Sequence, residues 1–287
     1  MRLSILFLLL TGLLCAASLP SAATGESATA FYNRADYAGA VAVLQQAPAN
    51  AANLELLGQS HFMLGDFRKA TDFLEKAAAL KPADSMIETW LGRAWGRRAE
   101  RAFPVVAIGY ATKTRDAFER AVRLDPQNAE ALGDLFDFYI EAPGMIGGGL
   151  DKAEALLPQY ARCDPLGYFV AHAKLDETKQ EFGSAEANFR HAVEMAPRRI
   201  SIVLILAQFL ARRGRYEEAE IVFRQAASVA PDSPRIFFAR ADTYIKSRRN
   251  VEQARELLRK YLAANNLSPE DPPRWEAQKL LRKAEGG

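Results

Sequence analysis

The chain is 287 residues long, 49% hydrophobic and 25% charged, with a formal net charge of +2. That length holds one or two ordinary domains or one elongated array, and the composition is that of a folded soluble chain. A balance this close to neutral gives no electrostatic reason to expect nucleic acid or an acidic membrane surface as partner. The basic pairs Arg97-Arg98, Arg198-Arg199, Arg212-Arg213 and Arg248-Arg249 all have acids nearby and read as solvated helix faces.

The N-terminus has one cation, Arg2, then an apolar run from Leu3 to Leu14, then small residues. This is the pattern of a secretory signal peptide over residues 1–23, cleaved after Ser21-Ala22-Ala23 or, as a second candidate, after Ala16-Ala17-Ser18. The run is short for a membrane span. Cys15 raises lipid anchoring, but Gly12-Leu13-Leu14 before it departs from a lipobox, so an anchor is not expected. The expected location is a bacterial periplasm or the medium. The mature chain would keep one cysteine, Cys163, which can form no internal disulfide and has no placed His or acid partner. It reads as structural.

From residue 24 onward the chain repeats. Prolines closing Ala-rich amphipathic runs recur at Pro48, Pro82, Pro126, Pro165, Pro197 and Pro231, at spacings of 34, 44, 39, 32 and 34. Asp36-Tyr37 and Ala40-x3-Leu44 open the series. Residues 51–84 then place Leu54, Leu57-Gly58, His61, Ala70, Leu74, Ala77 and Pro82, with Gly65-Asp66-Phe67 at a turn. Further copies follow at Ala153-x3-Leu157, Ala185-x3-Phe189 with Ala192, Gly214-Arg215-Tyr216 with Ala219, Phe223 and Ala226, and Ala254-x3-Leu258. A period near 34 that ends in proline resembles the tetratricopeptide repeat. The resemblance implies an all-α, right-handed solenoid of helical hairpins. About seven units would fill residues 24–264. Residues 265–287, broken by Pro269, Pro272 and Pro273, read as a linker and a C-terminal capping helix whose Trp275, Leu280 and Leu281 cover the last unit.

Two units exceed the period. The third, from Ser85, carries about ten extra residues, within 98–113, that include the apolar AFPVVAIGYA; this insertion either packs over the convex side or shapes a pocket beside the groove. The fourth, from Ala129, is stretched by the loop Pro143, Gly144, Met145, Ile146, Gly147, Gly148, Gly149. A phosphate-cradling loop needs Lys and then Ser or Thr after its glycines, and a strand before them. Here Leu150 and Asp151 follow and a helix precedes, so the loop reads as a long turn, with Asp151 as cap or first-turn acid. Anion binding by backbone amides at the next helix start stays open. Met145 and Ile146 either tuck inward or meet a partner. The stretch from Ser85 to Pro165 resembles secreted bacterial tetratricopeptide proteins with a central APG-x-x-GG loop, which implies an exported solenoid and no known reaction.

No motif carries chemistry. His61 occupies an aromatic repeat position, and His172 and His191 sit on the two helices of one unit, with no H-E-x-x-H, G-x-S-x-G or C-x-x-C. No cofactor and no metal is expected, and no enzyme. What remains is the groove that first helices line in arrays of this kind. The resemblance assigns to it Arg93, Arg97, Asp137, Glu141, Lys174, Glu177, Gln208 and Arg212, with Glu55, Gln59, Phe62 and Met63 before them and Asp242 and Lys246 after. Mixed charge with aromatic and aliphatic anchors suits a protein or peptide partner. The alternative is a small-molecule or glycan site walled by the insertion, with Trp90, Trp95 and Tyr110 converging on one cavity.

Overall fold

The computed structural model describes residues 26–286, so the expected signal peptide and Cys15 lie outside the described residues. Within them every regular element is helical: α1 (Ala28–Asn33), α2 (Tyr37–Leu44), α3 (Ala51–Met63), α4 (Phe67–Leu80), α5 (Ser85–Arg101), α6 (Pro104–Leu124), α7 (Ala129–Glu141), α8 (Leu150–Cys163), α9 (Pro165–Thr178), α10 (Phe182–Met195), α11 (Ile200–Arg212), α12 (Tyr216–Val229), α13 (Pro234–Ser247), α14 (Val251–Ala263) and α15 (Arg274–Glu285). The first fourteen pair in sequence as seven antiparallel hairpins stacked side by side, and α15 packs on α14. None of these helices is long and apolar enough to cross a membrane.

Local chemistry explains the hairpins. Asp36, Asn50, Asp66, Asn128 and Asp164 each accept a hydrogen bond from the backbone N–H three residues on and so start a helix. Helices cross where Ala40, Ala70, Ala77, Ala121, Ala153, Ala185, Ala192, Ala226 and Ala254 are fully or almost fully buried, because a methyl group lets two backbones approach. Gly58 and Gly92 carry this further. A Cβ on Gly92 would stand 2.4 Å from the Phe118 ring. The turns inside hairpins are left-handed, at Gly65 and Gly214 with φ of 79° and 74°. Ala35 and Gln180 hold the same conformation in other units without the freedom of glycine. Pro165 differs from the other repeat prolines. It occupies the first turn of α9, where a missing N–H costs nothing, rather than closing α8.

The ten extra residues of the third unit do not form a connection. They lengthen both helices: α5 has 17 residues and α6 has 21, against 13 and 14 in α3 and α4. By helical rise the third hairpin tip extends about 6–10 Å beyond its neighbour's.

The C-terminal segment does more than cover the last unit. Leu280 and Leu281 pack on the apolar cluster of α13 and α14 as expected of a cap. Trp275, expected there too, instead crosses to the second and third units. Its ring meets Phe67 edge-on at 5.6 Å and lies beneath the guanidinium of Arg101 at 5.0 Å. Ala35 of the first unit packs against the same cluster as α14 and α15. The array therefore closes on itself, with residues 267–276 bridging its ends. Arg235 reaches Asp271 at 3.3 Å, Asp271 accepts from the Ser268 backbone N–H at 2.9 Å, and Tyr261 donates to the Pro272 carbonyl.

Candidate functional site: a carboxylate-rich cavity in the closed groove

Closure turns part of the concave face into a cavity of about 630 Å³, open to solvent. Helix α5 supplies Trp90, Arg93, Arg97 and Glu100. Helix α7, one unit on, supplies Asp134, Asp137, Phe138 and Glu141. Helix α3 adds Phe62 and Met63, and the bridging segment adds Glu270, Asp271, Pro272 and Glu276. Each α5 and α7 group projects here because first helices line the inside of the curve and residues three or four apart share a face.

Seven carboxylates face two guanidiniums, and both guanidiniums are already committed. Arg93 donates to Asp134 at 2.5 Å and to Glu130 at 3.0 Å, and its guanidinium stacks 4.7 Å from the Trp90 ring. Arg97 donates to Glu100 at 3.0 Å and to Glu276 of α15. Three of the cavity's acids, Asp134, Glu141 and Glu276, are raised in pKa. Asp134 is pushed up to about 6, chiefly by burial, which outweighs the attraction of Arg93; Asp137 and Glu130 add to the rise. Glu141 and Glu276 are also raised, first by burial; Asp137 adds to the rise at Glu141 and Glu100 at Glu276. This is a half-desolvated negative cavity edged by Phe62, Trp90 and Phe138. Phe62 and Trp90 meet edge-on at 5.5 Å. Such an arrangement can hold a cation with an apolar stem.

The other residues assigned to the groove lie farther along. Lys174 closes on Asp137 at 2.6 and 2.8 Å. Arg212 makes a two-pronged pair with Glu177 at 2.8 and 2.7 Å. Gln208 borders a smaller depression with Arg212, Asp242 and Lys246. Most of these groups therefore join neighbouring units to each other. Trp95 and Tyr110 do not converge on the cavity with Trp90; their rings face each other at 5.1 Å with Arg98 beside both.

The loop from Gly144 to Gly149 lines no part of the cavity. It contains a single 3-10 turn, Gly144–Ile146, resting on α6, where Arg115 donates to the Ile146 carbonyl at 3.3 Å. Its three consecutive glycines use their amides internally: Gly147 N–H bonds the Gly144 carbonyl at 3.0 Å, Gly148 N–H the Pro143 carbonyl at 3.3 Å and Gly149 N–H the Tyr139 carbonyl at 2.9 Å. Those three are not free for an anion. Gly148 is obligatory for space, since a Cβ there would stand 1.8 Å from the Ala142 carbonyl oxygen. Asp151 is a first-turn acid of α8, and Gly149 holds the cap position. Met145 points out and Ile146 is half-buried.

Glu100, Asp134, Phe138, Glu270, Asp271 and Glu276 are the members that sequence reasoning missed. Asp134 had a signal: it lies 41 residues after Arg93, about one stretched period, so the two occupy adjoining first helices. Glu276 and Asp271 had none, because nothing local tells where the bridging segment lands. The histidines stay apart from the cavity. His61 stacks on Phe73 at 5.4 Å, His172 faces Asp176 at 3.6 Å and His191 faces Glu194 at 3.6 Å. Cys163 is half-buried, with Sγ 3.8 Å from the Tyr160 carbonyl.

No curated protein matches the chain. Tetratricopeptide repeat models match residues 51–84 and 200–243. Among solved structures, a tetratricopeptide repeat protein from Parabacteroides merdae is similar over 90% of this chain and 96% of its own, at 15% identity and a TM-score of 0.58. A thermophilic tetratricopeptide protein from Thermus thermophilus is similar over 64% of this chain and 91% of its own, at 21% identity and a TM-score of 0.51. Two of the hairpins are thus tetratricopeptide repeats by sequence, and the array as a whole has the fold of such proteins, a right-handed all-α solenoid of helical hairpins.

Proposed function

We propose that the protein is a non-enzymatic, exported scaffold that binds a protein or peptide partner on its concave side, and that the bound segment is basic. The repeat fold supports an interaction scaffold, and the Arg2-to-Ala23 pattern supports export to a periplasm. The single observation that carries the ligand class is the lining of the cavity between α3, α5, α7 and residues 269–276. Seven carboxylates against four cations already paired to them (Arg93, Arg97, Lys174 and Arg235), with Glu141 lacking a basic partner among the described residues and three aromatic rings alongside, suit a Lys or Arg side chain and its alkyl stem.

Isothermal titration tests the reading, with Lys-Trp-Lys and Glu-Trp-Glu tripeptides as probes. The basic peptide should bind and the acidic one should not. The double substitution Asp137→Asn with Glu141→Gln should weaken binding at least about tenfold, the cost of losing two charge-assisted contacts. Binding should also weaken as pH falls through about 6, where Asp134 takes up a proton. Equal affinity for both peptides, or indifference to the substitutions, removes the reading. A second reading, a small-molecule site, draws on the cavity's volume, which lies in the range of small-ligand pockets. A free diamine that binds as tightly as the tripeptide would favour it.

A further inference from the structure

The third hairpin ends in a patch that the cavity does not use. Of the large hydrophobic side chains exposed among the described residues, four fall within six consecutive positions. Phe103 and Val105 are each 86% exposed, and Val106 and Ile108 each 47%. Pro104 and Gly109 between and beside them are exposed as well. Phe103 caps α6 in extended conformation, and Val105, Val106 and Ile108 fan over a little under half of the helix's first turn and a half. An exposed apolar fan with a Phe beside it, at a tip that stands beyond its neighbour, is placed to enter a soft apolar medium.

The charges agree with one such medium. No acid occurs between Glu100 and Asp116, while Arg101, Lys113 and Arg115 do. Arg98, Arg101 and Lys113 lack a carboxylate partner among the described residues. Arg98 donates to Thr71 and Tyr110, Arg101 donates to the Gly65 carbonyl, and Lys113 lies over the Trp95 ring at 3.9 Å. Tyr110 stands six residues behind Pro104, about 9 Å along the helix. Behind the apolar tip, Arg101 and Arg98 come first on α5 and the buried Trp95 only after them, while on α6 Tyr110 precedes Lys113. An apolar tip flanked by cations matches a bilayer entered to the depth of its headgroups. The chain's near-neutral total charge hides this local asymmetry.

We propose that the α5–α6 tip, residues 102–109, is a shallow membrane anchor that inserts into an anionic phospholipid surface, with Arg98, Arg101 and Lys113 meeting the lipid phosphates. The inference is independent of what the cavity binds.

The test measures cosedimentation of the full chain with vesicles of phosphatidylcholine, with and without phosphatidylglycerol. Each comparison is between chains with the same N-terminus, because residues 3–14 are themselves apolar. Phe103→Asp with Val105→Asp should weaken binding to the anionic vesicles at least about tenfold, since even one exposed Phe or Val returned to water forfeits that much. Leu80→Asp with Val229→Asp, at exposed apolar positions elsewhere, should change nothing. Hydrogen exchange on the wild type supplies a local readout: the amides of residues 103–108 should slow when anionic vesicles are added. Equal sedimentation of wild type and tip variant overturns the proposal, and so does unchanged exchange at the tip. Slowing that appears with rising protein concentration and no vesicles, together with a dimer in sedimentation velocity, also overturns it and makes the tip an interface between proteins.

Discussion

The third and sixth hairpins are built on one plan and put their apolar residues in opposite places. In the sixth, α11 and α12 hold to the period, and Phe209, Leu210, Val222 and Phe223 are buried in one cluster. In the third, α5 and α6 outgrow the period. Their tip leaves Phe103 and Val105 in water, while their concave side carries Arg93, Arg97 and Glu100 into a cavity. A unit that keeps its length stacks against two neighbours, so packing takes up most of its apolar side chains, and in the sixth only Ile221 and Val229 stay about half exposed. A unit that exceeds its neighbours has surface that no neighbour can cover. The departures from the period are where this molecule has surface to spare for partners.

Substitutions that should leave the contrast sharper or erase it come in order of size. Phe223→Ala in the sixth hairpin should cost about 3–5 kcal/mol in denaturant unfolding, through lost burial and the cavity left behind. Phe103→Ala at the third tip should stay within about 0.5 kcal/mol. Similar costs at both sites would mean that the tip is packed in solution.

Trp275→Ala should cost about 2–3 kcal/mol and loosen the bridge between the ends of the array, read as faster hydrogen exchange around Phe67 and Ala35. Trp275→Phe should cost much less, because it keeps a ring against Phe67 and removes the indole Nε1, which is buried without a hydrogen-bond partner. Gly92→Ala should cost about 1–3 kcal/mol by driving a methyl into Phe118. Its counterpart near the tip, Gly109→Ala, meets nothing within 4 Å and should gain up to about 1 kcal/mol of helix propensity, measured as a higher Tm.

The cavity should make stability depend on pH. Burial raises Asp134 to about 6, above its unfolded value, so its share of stability is complete below that unfolded value and is lost as pH rises through about 6. Asp134→Asn should flatten the stability profile between about pH 4 and 6 by on the order of 1–2 kcal/mol, which chemical denaturation across that window would reveal. A wild-type profile that does not fall there would place Asp134 in better solvent than its surroundings indicate. Smallest of all, Arg212→Ala should cost at most about 1 kcal/mol, because the guanidinium that pairs with Glu177 is half exposed to water.

The hairpins themselves were legible in the sequence because everything that makes them is local. Asp66 caps within three residues, Gly65 turns within one, and Ala70 and Ala77 mark a crossing between consecutive helices. Even the Arg93–Asp134, Lys174–Asp137 and Arg212–Glu177 pairs, 35 to 41 residues apart, follow from the period once neighbouring units are laid side by side. Tertiary structure alone decided where the array's two ends meet. The curvature that brings Trp275 to Phe67 and Glu276 to Arg97 is the sum of small rotations at successive interfaces, and no single interface contains it. The same sum folded the concave face into a cavity, buried Asp134 far enough to shift its proton, and left the overlong third hairpin reaching past its neighbour into solvent.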